Sequence, residues 1–216
     1  MTLFDQLKAD SATQWDAYIH HEFVESLGTG TLPQESFQDY LVQDFLFLIQ
    51  FARAYALSAY KSRSLDEIQL SADGLALILD ETKLHVRLTE SWGISKPELE
   101  ATEEKMATVA YTRFVLDCGM AGDLLDLEVA LAPCTIGYAE IGTNLQAEHS
   151  PGADHPYGEW IAEYAGAPFQ EGAQAAIDRL DQLAGGPLSE RRFAELSDIF
   201  AKASRLEAAF WQQALD

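Results

Sequence analysis

Residues 33–61 read PQESFQDYLVQDFLFLIQFARAYALSAYK. Phe37, Leu41, Asp44, Leu48, Phe51 and Tyr55 recur at alternating steps of four and three, which places all six on one face of an α-helix. Pro33, just after the turn Gly28-Thr29-Gly30, stands at the opening of that helix, where a missing N–H costs nothing. A long core-facing helix is therefore predicted, and one polar residue, Asp44, points inward with the apolar ones.

The same period runs outward from this helix almost to both ends of the chain. It breaks at Gly28-Thr29-Gly30, Lys61-Ser62-Arg63, Gly93, Gly119 to Gly122, Ser150-Pro151-Gly152, Gly166 and Gly185-Gly186-Pro187. Seven or eight helices are expected, over 2–27, 33–61, 65–92, 97–118, 123–148, 155–165, 168–184 and 189–214. Ser95 and Glu98 have capping-box spacing, and Asp123 and Ser189 can cap the helices they precede. No run of alternating β-branched residues competes, so the fold class is all-α, and short connections favour a bundle of antiparallel neighbours. With no repeat and no long linker, residues 1–216 read as one domain.

Composition narrows the function. The 216 residues carry 35 Asp and Glu against 14 Lys and Arg, a formal net charge of −21. So acidic a surface repels phosphate backbones, which argues against a nucleic-acid partner. The longest apolar stretches, such as Phe45 to Ile49, fall far short of the roughly 20 residues a membrane-spanning helix needs. The N-terminus has neither a basic cap nor a continuous apolar segment, and a cytoplasmic location is expected. Cys118 and Cys134 suggest no disulfide framework.

Two further stripes repeat the pattern of an apolar face with one polar interruption. The last helix aligns Phe193, Leu196, Phe200, Ala203, Glu207, Phe210 and Ala214, so Glu207 faces inward. The fifth aligns Leu124, Leu127, Leu131, Cys134, Tyr138 and Ile141, and the fourth offers Ala107, Tyr111, Phe114 and Cys118. A buried carboxylate is costly in its charged form. Asp44 and Glu207 either pair with Arg, Lys or Tyr groups and pin helix register, or they do acid–base chemistry in a pocket between helices. Pro133 removes the backbone bond to the Val129 carbonyl and is expected to kink the helix just before Cys134, aiming its thiol into a cavity. The alternative for Cys134 is an inert, small apolar residue, and Cys118, which ends its helix beside the Gly119 to Gly122 turn, keeps that inert reading.

The segments Gly30-Thr31-Leu32-Pro33, Tyr40-Leu41-Val42-Gln43-Asp44, Phe51-Ala52-Arg53-Ala54, Leu131-Ala132-Pro133-Cys134, Tyr138-Ala139-Glu140-Ile141-Gly142, His155-Pro156-Tyr157, Trp160-Ile161-Ala162-Glu163-Tyr164 and Glu207-Ala208-Ala209-Phe210-Trp211 follow one another here. In this order and spacing, from about residue 20 to about residue 212, the chain resembles the TenA (thiaminase II) family. The resemblance implies the haem-oxygenase-like helical fold and a homotetramer. It implies hydrolysis of 4-amino-5-aminomethyl-2-methylpyrimidine to the hydroxymethyl pyrimidine and ammonia, with thiamin cleavage as the related activity. It also implies Cys134 as nucleophile, Glu207 as proton donor and acceptor, Asp44 as polar anchor for the pyrimidine, and Tyr111, Tyr138 and Tyr164 as pocket residues. No metal or organic cofactor is required. Phe47 departs from the pattern, since TenA proteins commonly carry tyrosine there.

The residue types suit that chemistry: a thiolate can attack the ring carbon while an acid protonates a ring nitrogen, and the adduct then expels the amine and takes up water. Two other classes compete. One is a non-catalytic pyrimidine-binding or regulatory protein, which would not need a thiol beside a carboxylic acid. The other is a haem or metal oxidoreductase on the same fold, for which His20, His21 and the Glu81/His85 pair are the available ligands. A di-iron bundle uses Glu-x-x-His pairs, and the sequence has none. His155 reads instead as part of a His-Pro-Tyr helix entrance.

Overall fold

Caps written in the sequence set most helix starts. A computed structural model describes residues 1–152 and 154–216. Glu98 accepts from the Ser95 N–H at 2.8 Å, Asp126 N–H donates to Asp123 at 3.0 Å, and Arg192 N–H donates to the Ser189 hydroxyl at 3.2 Å, so all three expected caps form. Among the described residues the chain is all-α, without a strand. The helices are α1 (Leu3–Asp10), α2 (Ala12–Ile19), α3 (Glu22–Gly28), α4 (Gln34–Lys61), α5 (Leu65–Ser91), α6 (Lys96–Ala101), α7 (Met106–Ala121), α8 (Leu124–His149), α9 (Gly158–Ala165), α10 (Ala167–Ala184) and α11 (Glu190–Gln212).

Eleven helices among the described residues exceed the seven or eight expected, because two long segments are broken. The span 2–27 becomes α1, α2 and α3. Ser11 leaves the helical region, and His21 turns extended so that its Nδ1 accepts the Phe23 N–H at 3.2 Å and caps α3. Burial, opposed by the Glu22 charge and a bond to Gln212, lowers the His21 pKa and favours the neutral ring, whose Nδ1 accepts. The span 97–118 becomes α6 and α7. Gln43 holds the connector between them, donating to the Glu103 carbonyl at 3.1 Å and accepting the Lys105 N–H at 2.8 Å.

The chain forms two compact units, and it passes from one to the other inside α8. The first comprises residues 1–32 and 128–212. In it α11 packs on α2 and α1, α10 packs on α1 and α9, and Trp15 stacks on Phe200 with ring centroids 5.4 Å apart. His155 forms the expected entrance. Its Nδ1 accepts the Tyr157 N–H at 3.1 Å, so Nε2 carries the hydrogen and donates to the Gly28 carbonyl at 3.0 Å.

The second unit comprises residues 33–127 and 213–216. Here α4 is the hub and packs on α5, α6 and α7. The stripe expected on α4 is buried from Phe37 to Phe51, and residues 43–48 are buried all round the helix, so the true buried surface is wider than one face. Ser58 and Ser71 join α4 to α5 through a hydroxyl pair at 2.8 Å.

The face of α7 differs from expectation. Thr108, Tyr111, Thr112, Val115 and Gly119 are buried, while Phe114 and Cys118 sit at the flank. Thr112 can be buried because its hydroxyl bonds back to the Thr108 carbonyl at 2.7 Å, and Thr108 in turn donates to Gln43 at 2.8 Å. Among the described residues no helix is long and apolar enough to cross a membrane.

Candidate active site

α8 runs from Leu124 to His149 and continues through Pro133, which lies in its first-unit part. Gly137 makes room beside that proline: a Cβ there would collide with the Tyr18 ring, and Tyr18 instead reaches in to donate its hydroxyl to the Pro133 carbonyl at 3.2 Å. Around this point α8 is buried at Leu131, Ala132 and Pro133 and again from Ile136 to Ala139. Between the two runs Cys134 and Thr135 are only half-buried. Neither Cys134 nor Cys118 is in a disulfide.

One turn along α8, Tyr138 enters an aromatic cluster. Its ring centroid lies 5.2 Å from Trp211, 5.0 Å from Tyr164 and 5.9 Å from Trp160, and Trp160 and Tyr164 are 4.4 Å apart. Trp211 stacks on Phe23 at 4.8 Å. Gly142 lets the end of α9 approach α8, since a Cβ there would lie 2.6 Å from the Tyr164 backbone. Glu207 stands one turn before Trp211 on α11 and is 1% exposed, with Ala203 and Phe210 buried on either side as the stripe predicts. The cluster thus joins the faces of α8 and α11 that carry the thiol and the carboxyl. Trp160 and Trp211 belong to quoted motifs, yet their place in this cluster was missed because helical period gives a face and not a neighbour.

In the second unit Asp44 is 3% exposed, and its Oδ2 takes two hydrogen bonds. Tyr40 donates its hydroxyl at 3.0 Å, and His85 Nε2 lies at 2.6 Å. The other ring nitrogen of His85, Nδ1, lies 3.0 Å from the Glu81 carbonyl. Burial opposes the charged imidazole, but the Asp44 bond and charge, with the Glu81 charge and carbonyl, outweigh it and raise the His85 pKa above 6.5. Sequence reasoning offered Arg, Lys or Tyr as partners for Asp44. Tyr40 is there, one turn away, and His85 was not foreseen because its approach depends on how α5 packs on α4.

Phe47 and Tyr111 come together from α4 and α7, with ring centroids 5.1 Å apart, and Phe47 lies at the same distance from Phe51. Both are buried. His21 and His155 use their ring nitrogens in the backbone contacts described above. Among the described residues no three His, Cys, Asp or Glu side chains are grouped as a metal site would require.

The model of the TENA/THI-4/PQQC family matches residues 9–216. The chain belongs to this family. An aminopyrimidine aminohydrolase from Halalkalibacterium halodurans is 43% identical over 203 residues, covering 93% of this chain and 89% of that protein. A second protein of that name, from Bacillus subtilis, is 29% identical and is covered over 90% of its length. Among solved structures, one from a Silicibacter species described as a TenA family transcription regulator superposes with a TM-score of 0.93 at 43% identity, covering 99% of this chain and 96% of that one. A TenA homologue from Pyrococcus horikoshii superposes with a TM-score of 0.85 at 28% identity, covering 99% of this chain and 98% of that one. The all-α fold expected from the resemblance is thus the fold of this TENA/THI-4/PQQC member's structural relatives.

Proposed function

We propose that the protein is an aminopyrimidine hydrolase of thiamin salvage, converting 4-amino-5-aminomethyl-2-methylpyrimidine to the hydroxymethyl pyrimidine and ammonia and cleaving thiamin by the same route. The observation that carries the reading is the single aromatic cluster into which Tyr138 and Trp211 bring the faces of α8 and α11, one turn from Cys134 and Glu207 respectively. The names of the two aminohydrolase relatives support the same reaction class.

In this reading the Cys134 thiolate attacks the pyrimidine ring and Glu207 protonates a ring nitrogen. The adduct expels ammonia, or the thiazole when thiamin is the substrate. Water then adds to the exocyclic carbon, and the ring carbon releases the thiolate. Tyr138 and Tyr164 offer an aromatic surface to the ring; the resemblance assigns Asp44 as its polar anchor and Tyr111 as a pocket residue, with Phe47 at the position where relatives commonly carry tyrosine. A homotetramer in the cytoplasm completes the proposal. Self-association is supported by Leu65, Ile68 and Leu79, which fall on one face of α5 and are exposed.

The test is incubation of purified protein with each substrate and chromatographic analysis of products. Release of hydroxymethyl pyrimidine with stoichiometric ammonia is expected. The description of the Silicibacter structure favours a second reading, a pyrimidine-responsive regulator. Tight pyrimidine binding without product would select it.

A further inference from the structure

A carbonyl oxygen can only accept, so the imidazole nitrogen facing it at 3.0 Å, His85 Nδ1, carries a hydrogen. That leaves Nε2, 2.6 Å from the Asp44 Oδ2. Two lone pairs would repel at this separation, so a proton lies between the two atoms and the pair shares it. The Tyr40 hydroxyl donates to the same oxygen at 3.0 Å and draws the negative charge onto Asp44. Both side chains are almost wholly buried, at 0% exposure for His85 and 4% for Asp44, so water cannot substitute for either bond. Both contacts fall on Oδ2, and Oδ1 takes neither.

Resting on the hydrolase reading above, we infer that His85 is a positioning residue of the pyrimidine site: it fixes the Asp44 carboxylate in one orientation and keeps it charged, so that Oδ1 faces a hydrogen-bond donor of the substrate. The aminopyrimidine supplies such a donor in its amino group. His85 does not touch the substrate and acts through Asp44 alone. The groups that set its protonation are Asp44 and Tyr40 from α4 and Glu81 from its own helix, α5. Above the raised pKa of His85 the shared proton is lost. Nδ1 keeps its hydrogen on the Glu81 carbonyl, Nε2 gives up its bond to Asp44, and pyrimidine binding weakens on the alkaline side.

Two measurements test this. In ¹⁵N-histidine spectra of the native protein, His85 should titrate above 6.5, with Nδ1 protonated throughout, and in Asp44→Asn it should titrate below 6.5. In His85→Gln, the KM for the aminomethyl pyrimidine should rise about ten-fold, as expected for loosening a charged hydrogen-bond acceptor. Its kcat should change much less, and the alkaline limb of the kcat/KM profile should disappear. Tyr40→Phe, a milder change, should raise KM by a smaller factor and covers the case in which His85→Gln does not fold. A neutral His85 at pH 6 in the native protein would overturn the inference, as would a His85→Gln variant with native KM and native pH profile. If the native protein hydrolyses no pyrimidine, the hydrolase reading fails. The inference then survives only if the titration is as stated and His85→Gln binds the hydroxymethyl pyrimidine about ten-fold more weakly by calorimetry.

Discussion

Replacing Asp44 by Asn removes the anion from a buried pair, and the cost should depend on pH in a direction that the pair itself dictates. The His85 pKa is raised in the folded protein, so its stabilisation is fully present below the unfolded value of 6.5 and is lost as pH rises through the higher folded value. In Asp44→Asn the ring remains buried without its anion. Leaving a charged imidazolium there would cost about 3–5 kcal/mol, the range seen when one partner of a buried pair is removed. The ring escapes that cost by deprotonating. At about pH 5.5, one unit below the unfolded value, holding it neutral costs about 1.4 kcal/mol, and the lost hydrogen bond adds about 1 kcal/mol. At about pH 8.5, well above the unfolded value, holding the variant's ring neutral costs almost nothing. Chemical denaturation of both proteins at the two pH values should therefore show a loss larger at pH 5.5 by at least about 1.4 kcal/mol, or roughly 3–6 °C in Tm for a chain of this size. An equal loss at both values would refute the shared-proton account of Asp44 and His85.

Cys134→Ser should fold normally and lose most pyrimidine hydrolysis, because an alcohol ionises far less readily than a thiol, while Cys118→Ser retains it; steady-state assays with reversed phenotypes would exchange the two assignments. Glu207→Gln should depress kcat by about a hundred-fold or more and alter the pH–rate profile while calorimetry still detects pyrimidine binding, and an unaltered profile would point to another acid. Phe47→Tyr should shift the ratio of specificity constants for thiamin and the aminomethyl pyrimidine by about two- to ten-fold, corresponding to about 0.5–1.5 kcal/mol for one net hydrogen bond. A fall in Tm with an unchanged ratio would mean instead that the new hydroxyl is buried among Phe51 and Tyr111 without a partner.

Helix existence was legible wherever Gly or Pro punctuated the apolar period, as at Gly28 to Gly30 before α4 and at Gly185 to Pro187 before α11. Breaks made by other chemistry were not legible. No glycine or proline marks residues 11 and 20–21, so the span 2–27 read as one helix, although an imidazole cap at His21 starts a new helix there. The connector between α6 and α7 is held by Gln43, which stands 60 residues before Glu103 in the chain. The rotated face of α7 has a third cause. Thr108 and Thr112 count as polar in a periodicity, yet both hydroxyls are satisfied, Thr112 on its own helix and Thr108 on Gln43, so both residues can be buried.

The candidate site divides along the same physical line. What local spacing determines was readable: Asp44 faces inward because its stripe does, and Tyr40 reaches it because the two are one turn apart on α4. Glu207 and Cys134 were placed by the same argument. Which partner a buried group meets on another helix depends on packing, and period carries no information about that. His85 shows the consequence. In the sequence it stood one turn from Glu81 and invited a metal-ligand reading, whereas in the fold one ring nitrogen bonds the Glu81 carbonyl and the other turns to Asp44, 41 residues away. A polar residue interrupting an apolar stripe therefore identifies where chemistry is held out of water, and its partner across the helix interface decides what that residue can do. For Asp44 that partner is His85, whose hydrogen bond suits a fixed acceptor better than a mobile acid.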